Sequence, residues 1–80
     1  MNACPCCRYL TQRDGHDFEV CPVCFWEDDG QGDTDADVVR GGANGALSLT
    51  HARENYRNLG ACDTRFLTSV RLPHPNEIPD

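Results

Sequence analysis

The clearest pattern of apolar and polar positions runs from residue 48 to residue 60. Apolar side chains recur there at three- and four-residue spacing, at Leu49, Ala52, Tyr56 and Leu59. This spacing places them on one face of an α-helix. Ser48 precedes the pattern as a favourable N-cap, and Gly60 follows it as a natural helix stop. The pattern therefore predicts one main helix with a single buried face.

Two shorter stretches before the helix resemble strands. Residues 9–11 and 18–20 are short and partly apolar, and the second alternates apolar and polar positions. Residues 13–17 between them contain Asp14-Gly15, which is a strong turn signal. Together they predict a β-hairpin. The aromatic pair Phe25-Trp26 follows, and we expect it to cover buried groups of the core.

The chain after the main helix predicts less regular structure. Residues 63–67 predict a short second helical turn capped by Asp63, which returns Phe66, Leu67 and Val70 to the core. Prolines then follow at Pro73, Pro75 and Pro79. They predict an extended tail over residues 73–80, so that residues 1–72 form a single folded domain.

Composition indicates that these elements need additional support. Eighty residues make one domain, and a chain this short buries only roughly 60% of the surface that its unfolded form exposes. Only 39% of the residues are hydrophobic, and the mean hydropathy is −0.58. Small domains of this kind usually rely on disulfides, a metal or a partner chain. The six cysteines are the candidates for that role.

We expect the cysteines to be reduced in a cytoplasmic protein. The first ten residues lack the basic start and apolar stretch of a secretory signal. No run approaches the roughly 20 apolar residues of a membrane span. In the reducing cytoplasm thiols stay free unless a metal takes them. A metal site is therefore favoured over disulfides.

Four cysteines have the spacing of metal ligands. Cys4 and Cys7 form one C-x-x-C pair, Cys21 and Cys24 form another, and thirteen residues separate the pairs. Two such turns facing each other complete the four-thiolate site of zinc ribbons, which is structural because it has no open position. One Zn ion is the predicted cofactor, and iron in a rubredoxin-like site is the alternative. The predicted fold is a small α+β domain: a zinc-ribbon-like β-hairpin with two C-x-x-C turns, one main α-helix and a short second helical turn.

The remaining candidate ligands are less favoured. Cys6 could replace Cys7 in a C-x-C pair with Cys4, but we prefer to interpret Cys6 as a semi-buried thiol beside the metal. Cys62 is interpreted as a small apolar residue after the helix. No histidine stands at ligand spacing from a cysteine, which holds for His16, His51 and His74.

Residues 27–37 form an acidic segment without a base. It carries six carboxylates, at Glu27, Asp28, Asp29, Asp33, Asp35 and Asp37. The last three resemble the start of an EF-hand loop, but Val38 and Asn44 stand where glycine and glutamate are needed, so calcium is not predicted. Arg53 and Arg57 lie on one flank of the helix and are expected to face this segment. The sequence does not place a nucleophile beside a base at a recognisable spacing, so we predict no enzyme. The enzymatic alternative is a site formed by Glu27, Asp28 and the Gly-rich loop of residues 40–46.

The charge of the chain limits its partners. Seven arginines and no lysine face thirteen acids, giving a net charge of −6. This argues against nucleic acid, which is bound through basic surfaces, despite the arginines at 53, 57, 65 and 71. We therefore favour a protein-interaction module that docks on another protein through the acidic segment, with no membrane contact. A redox protein, either rubredoxin-like or with Cys6 and Cys7 cycling as thiols, is the alternative.

Nearly the whole chain resembles the bacterial cysteine-rich CPCC family. The resemblance is carried by CPCC at 4–7, CPVCFWEDDG at 21–30, RGGANGALSL at 40–49, AREN at 52–55 and the FL..VR..P spacing at 66–73. It implies a zinc-ribbon-like protein and brings no activity with it. Two positions depart from the family pattern: Arg8 stands where the family tends to have glycine, and His51 where an acidic residue would complete a capping box.

Overall fold

Two cysteine turns with the same backbone pattern lie at the centre of the protein. The computed structural model describes residues 2–13 and 18–79. The turns are called here the first and second knuckle and comprise residues 4–8 and 21–25. In the first, the Arg8 N–H donates to the Cys4 carbonyl at 2.8 Å; in the second, the Phe25 N–H donates to the Cys21 carbonyl at 2.8 Å. Each knuckle therefore closes on itself within five residues.

Both knuckles end in a residue with a left-handed backbone. The φ angle is 73° at Arg8 and 70° at Phe25. Residues other than glycine pay roughly 1–2 kcal/mol for this conformation, which explains why glycine suits the position. The Phe25 ring packs 4.7 Å from the Phe66 ring, so its side chain offsets part of that cost. Arg8 is exposed and has no such packing.

The predicted hairpin is not found in the described part of the chain, which contains isolated bridges instead of regular strands. Asn2 pairs with Gln12 around the first knuckle, and Val20 pairs with Glu27 around the second. Each knuckle brings its own flanking residues together, and the backbone of residues 9–11 bonds elsewhere: the Thr11 N–H donates to Tyr9 and the Leu10 N–H donates to Glu77. The described residues therefore contain no bridge between 9–11 and 18–20. The predicted Asp14-Gly15 turn and His16 lie outside the described residues.

The main helix, α1, has the predicted bounds, Leu49–Leu59. At its start the Ser48 hydroxyl accepts a hydrogen bond from the His51 N–H at 3.0 Å, as an N-cap should. At its end Gly60 has a φ of 84°, and its N–H donates to the Tyr56 carbonyl. The left-handed glycine satisfies a carbonyl that the helix itself leaves free.

The core lies between α1 and the knuckles. Leu49, Ala52 and Trp26 are fully buried, and Tyr56 is half-buried, as their helical spacing or aromatic character predicts. Leu59 is 42% exposed, so the apolar face of α1 ends one turn earlier than the pattern suggests. The core is completed by the cysteines and by a few small or medium apolar side chains, Val23, Ala36, Leu47 and Ala61.

Three 3-10 helices occur in the described residues, at Gly42–Asn44, Thr64–Phe66 and Pro75–Glu77. The second is the short helical turn expected after Asp63, although the Asp63 side chain makes no capping hydrogen bond. Phe66 and Val70 are half-buried, whereas Leu67 is 46% exposed, so the prediction that it returns to the core is wrong. The third lies where an extended tail was expected, so residues 73–79 are more ordered than their prolines predict. The division of the chain at residue 72 stays a prediction.

An ion pair explains why the C-terminal segment folds back. Glu77 is only 7% exposed, and its carboxylate accepts from both terminal nitrogens of Arg71 at 2.8 and 2.9 Å. Two backbone hydrogen bonds also attach the segment: the Leu10 N–H donates to the Glu77 carbonyl at 2.7 Å, and the Arg71 N–H donates to the Pro22 carbonyl at 3.1 Å. The segment is thus tied to both halves of the cysteine region.

Candidate metal centre

Four cysteine sulfurs meet between the two knuckles. The Sγ atoms of Cys4, Cys7, Cys21 and Cys24 all lie within 4.8 Å of one another. Across the knuckles, the sulfurs of Cys4 and Cys24 are 3.6 Å apart, and those of Cys7 and Cys21 are 3.7 Å apart. Four sulfurs around a zinc ion at about 2.3 Å would be separated by about 3.8 Å, whereas a disulfide needs about 2.05 Å. The spacing therefore fits one four-coordinate ion.

The cluster is shielded from water and supported by hydrogen-bond donors. Cys4, Cys21 and Cys24 are 0% exposed and Cys7 is 8% exposed. The Cys21 sulfur lies 3.4 Å from the Val23 N–H and 3.0 Å from the Thr11 hydroxyl. Such donors favour the thiolate form that a metal requires. Thr11 had no sequence signal, because its contact with Cys21 depends on how the first knuckle's flank folds.

The sulfurs compete for protons, because they are buried together. Hydrogen bonds from Cys24, and then from Cys4 and Cys7, hold the pKa of Cys21 well below its usual range. The hydrogen bond to Cys21 in turn raises the pKa of Cys24 well above its usual range. Four thiolates in one low-dielectric space repel one another unless a cation joins them. Binding a divalent ion there would displace the shared protons.

The other two cysteines lie beside this cluster. Cys6 is 4% exposed, and the group of sulfurs with ligand spacing contains Cys7 and not Cys6. Cys62 is fully buried, and its N–H donates to the Cys24 carbonyl at 2.8 Å. Burial raises the pKa of Cys62 to about 12, so it stays a neutral thiol. His51 and His74 are exposed and do not join the described sulfur group.

The acidic segment is ordered by its own carboxylates. Asp28, Asp29 and Asp35 each accept from a backbone N–H two or three residues away, at 2.8–3.1 Å. These side-chain turns fix the path of the segment. Asp35 also forms an ion pair with Arg40. The aspartates therefore hold the shape of the segment as well as giving it charge.

Arginines approach the same segment from the first knuckle and from α1. One oxygen of Asp33 accepts from Arg53 at 2.7 Å and from Arg8 at 3.3 Å. The Arg53 hydrogen bond is the main reason why the pKa of Asp33 lies below its usual value. The expectation that Arg53 faces the acidic segment is confirmed. Arg57, for which the same was expected, has no carboxylate partner within residues 2–13 and 18–79.

Comparison with known proteins gives one match. A family model described as "Cysteine-rich CPCC" matches residues 2–77. That range includes both knuckles, α1 and Glu77. No curated protein and no solved structure matches the chain. Among the described residues, no helix has the length and apolar character needed to span a bilayer.

Proposed function

This chain belongs to the cysteine-rich CPCC family, and we propose that it is a zinc-bearing protein-interaction module of the cytoplasm. The observation that carries the proposal is the buried group of four sulfurs with tetrahedral spacing. A zinc ion held by four thiolates has no open position for water or substrate. In this proposal the ion holds the binding surfaces in place, and the protein acts by binding a partner.

The acidic segment is the proposed docking surface. Asp28 and Asp29 use one carboxylate oxygen each in the turns, and both residues remain partly exposed. A surface whose shape is fixed before binding pays less entropy when a partner arrives. With a net charge of −6, the protein attracts a basic partner, and charge complementarity raises the rate of encounter.

Elemental analysis combined with native mass spectrometry tests the metal. We expect one zinc ion per chain and a colourless protein. The same four sulfurs also suit iron in a rubredoxin-like electron-transfer site, which is the second candidate function. A red protein with one iron ion per chain and a reversible redox wave, obtained after growth with both metals available, would overturn the zinc assignment and favour that candidate.

Charge removal without loss of shape tests the docking surface. In the variant Asp28→Asn with Asp29→Asn, each amide oxygen can still accept the turn hydrogen bond, but two negative charges are lost. The matched control is Glu54→Gln with Asp63→Asn, which removes two charges elsewhere. Glu54 is exposed, and the Asp63 carboxylate makes no capping hydrogen bond to its turn but accepts from the Thr64 hydroxyl and from Arg65, which an asparagine oxygen can also do.

The two variants are compared by capture from extracts of cells that encode the chain, with quantitative mass spectrometry and metal analysis. We expect the wild type and the control variant to capture basic proteins in equal amounts. The Asp28/Asp29 variant should capture at least about tenfold less of them at equal zinc content. Equal capture by both variants would refute docking through the acidic segment.

A further inference from the structure

A cleft of about 440 Å³ opens beside the first knuckle, on the side of α1. Three of the seven arginines of the chain line it, and none of the described lining residues is acidic. These residues are Arg8, Arg53 and Arg57, with Tyr9 and Tyr56 between them. A local concentration of positive charge in a chain of net charge −6 needs a cause. A bound anion would balance the positive charge of the three arginines and so explain why they lie together.

Two of the guanidinium groups already converge on one oxygen atom. Arg8 and Arg53 both donate to the same oxygen of Asp33, whose side chain is 73% exposed. Arg53 is held in position, because its Nε donates to the Pro5 carbonyl at 2.8 Å and its side chain is only 18% exposed. An exposed carboxylate is easily exchanged for another oxyanion. Asp33 thus marks where an oxygen of an external anion can sit.

The arrangement of these arginines carries costs that the packing does not offset. Closure of the first knuckle requires a left-handed backbone at position 8, as at Phe25, and an exposed arginine occupies the position at φ 73° although glycine would adopt it without strain. Arg57 follows Arg53 by four residues on α1, and like charges at that spacing destabilise a helix. Arg57 is exposed and has no ion pair with any described residue. Strained and unpaired groups that share one cleft point to a ligand.

We propose that this cleft binds a small phosphomonoester, with its phosphate among the three arginines and a flat ring against Tyr9 and Tyr56. Guanidinium groups recognise phosphate through paired hydrogen bonds. The cleft is larger than a phosphate alone requires and lies within the range of roughly 300–1,000 Å³ of small-molecule sites. The two tyrosine rings, 6.4 Å apart at 76°, offer aromatic surface on which a base or similar ring can stack.

The competing explanation is that the arginines only neutralise the metal site. A divalent ion with four thiolates carries a net charge of about −2, and Cys7 also lines the cleft. In that case removing Arg57 would weaken metal retention and leave no phosphate site to measure. The ligand proposal requires instead that removing Arg57 weakens phosphate binding and leaves metal retention unchanged. It does not depend on docking through the acidic segment, because docking is assigned to Asp28 and Asp29, whereas the cleft uses the arginines and only the exposed carboxylate of Asp33.

The test uses the full metal-loaded chain and two probes, adenosine monophosphate and ribose 5-phosphate, at low and constant ionic strength. NMR follows the arginine Nε–H groups and the backbone amides of residues 6–9. The variants are Arg57→Gln and, as a matched control, Arg13→Gln. Arg13 is an exposed arginine that pairs with Glu19 and does not line the cleft.

We expect both probes to shift the signals of the cleft, and adenosine monophosphate to bind more tightly than ribose 5-phosphate. Arg57→Gln should weaken binding by at least about tenfold, because a hydrogen bond to a charged group contributes this much. Arg13→Gln should bind as the wild type does, and both variants should keep their metal. The proposal is overturned by unshifted cleft signals, by equal weakening in the two variants, or by metal loss from Arg57→Gln. Equal affinity for the two probes would overturn the placement of the ring.

Discussion

Removing the metal should unfold this protein, because the cysteine cluster is a large part of its core. Six of the thirteen buried apolar side chains in the described residues are cysteines, and four of these six form the cluster. A structural zinc ion contributes about 10–16 kcal/mol to folding at neutral pH. Ordinary domains are stable by only about 5–15 kcal/mol in total. A zinc ion at this site would therefore contribute as much as the whole net stability of an ordinary domain.

Tryptophan fluorescence and circular dichroism report this unfolding directly. Trp26 is the one tryptophan of the sequence and is fully buried, so its emission shifts to longer wavelength when water reaches the ring. Chelation with a non-thiol reductant present should give this shift, together with loss of the α1 signal near 222 nm as a rough measure of helix content. Adding zinc back should restore both signals.

Two adjacent cysteines provide a matched pair of variants. Cys6 is 4% exposed and Cys7 is 8% exposed, but Cys7 belongs to the sulfur cluster and Cys6 does not. Cys7→Ala should lose the metal and unfold, whereas Cys6→Ala should retain it and lose only about 1 kcal/mol from the small cavity. A reduced, metal-free chain that kept its buried emission and a cooperative thermal transition would refute the reasoning. Metal loss from Cys6→Ala alone would reassign the ligand.

Two further predictions concern Arg8 and Glu77. Arg8→Gly removes roughly 1–2 kcal/mol of backbone strain and an exposed ion pair that contributes little to stability; the Tm of the metal-loaded protein should stay the same or rise, and a fall would contradict the strain. Hydrogen bonds from Arg71, and then from the His74 backbone, lower the pKa of Glu77 from 4.5 to about 2. Its charged form is therefore stabilised in the folded state, so Glu77→Gln should cost about 1–3 kcal/mol at neutral pH. Protons that neutralise Glu77 between pH 4.5 and about 2 would also displace a metal from the thiolates, so the comparison is made at neutral pH by denaturant unfolding of the metal-loaded protein. Adding Arg71→Gln to Glu77→Gln should cost little more than the single change, and additive losses would show that the ion pair is not the source.

Local signals in the sequence predicted the helix and the sulfur cluster. The caps of α1, Ser48 and Gly60, are set by residues within one turn of the helix end. A C-x-x-C turn likewise places its two sulfurs by local backbone geometry alone. These features were predictable because they need few contacts between distant parts of the chain.

Features that depend on distant contacts were missed. The hairpin prediction was not met in the described residues, because alternation shows that a segment can pair but not which segment it pairs with. The prolines of the C-terminal segment predicted an extended tail, and no local signal in the sequence predicted the ion pair between Arg71 and Glu77. The arginine cleft combines the first knuckle with α1, and no spacing along the chain shows that Arg8 lies beside Arg53 and Arg57.

The attachment of residues 71–77 to both knuckles has a consequence for the order of events during synthesis. The ribosome releases the four ligand cysteines long before Arg71 and Glu77, whose backbone groups bond to Pro22 and Leu10. The ion is therefore expected to enter while its surroundings are still incomplete. Once residues 71–77 attach to Pro22 and Leu10, we expect a metal already held between the knuckles to exchange more slowly with chelators in the cell.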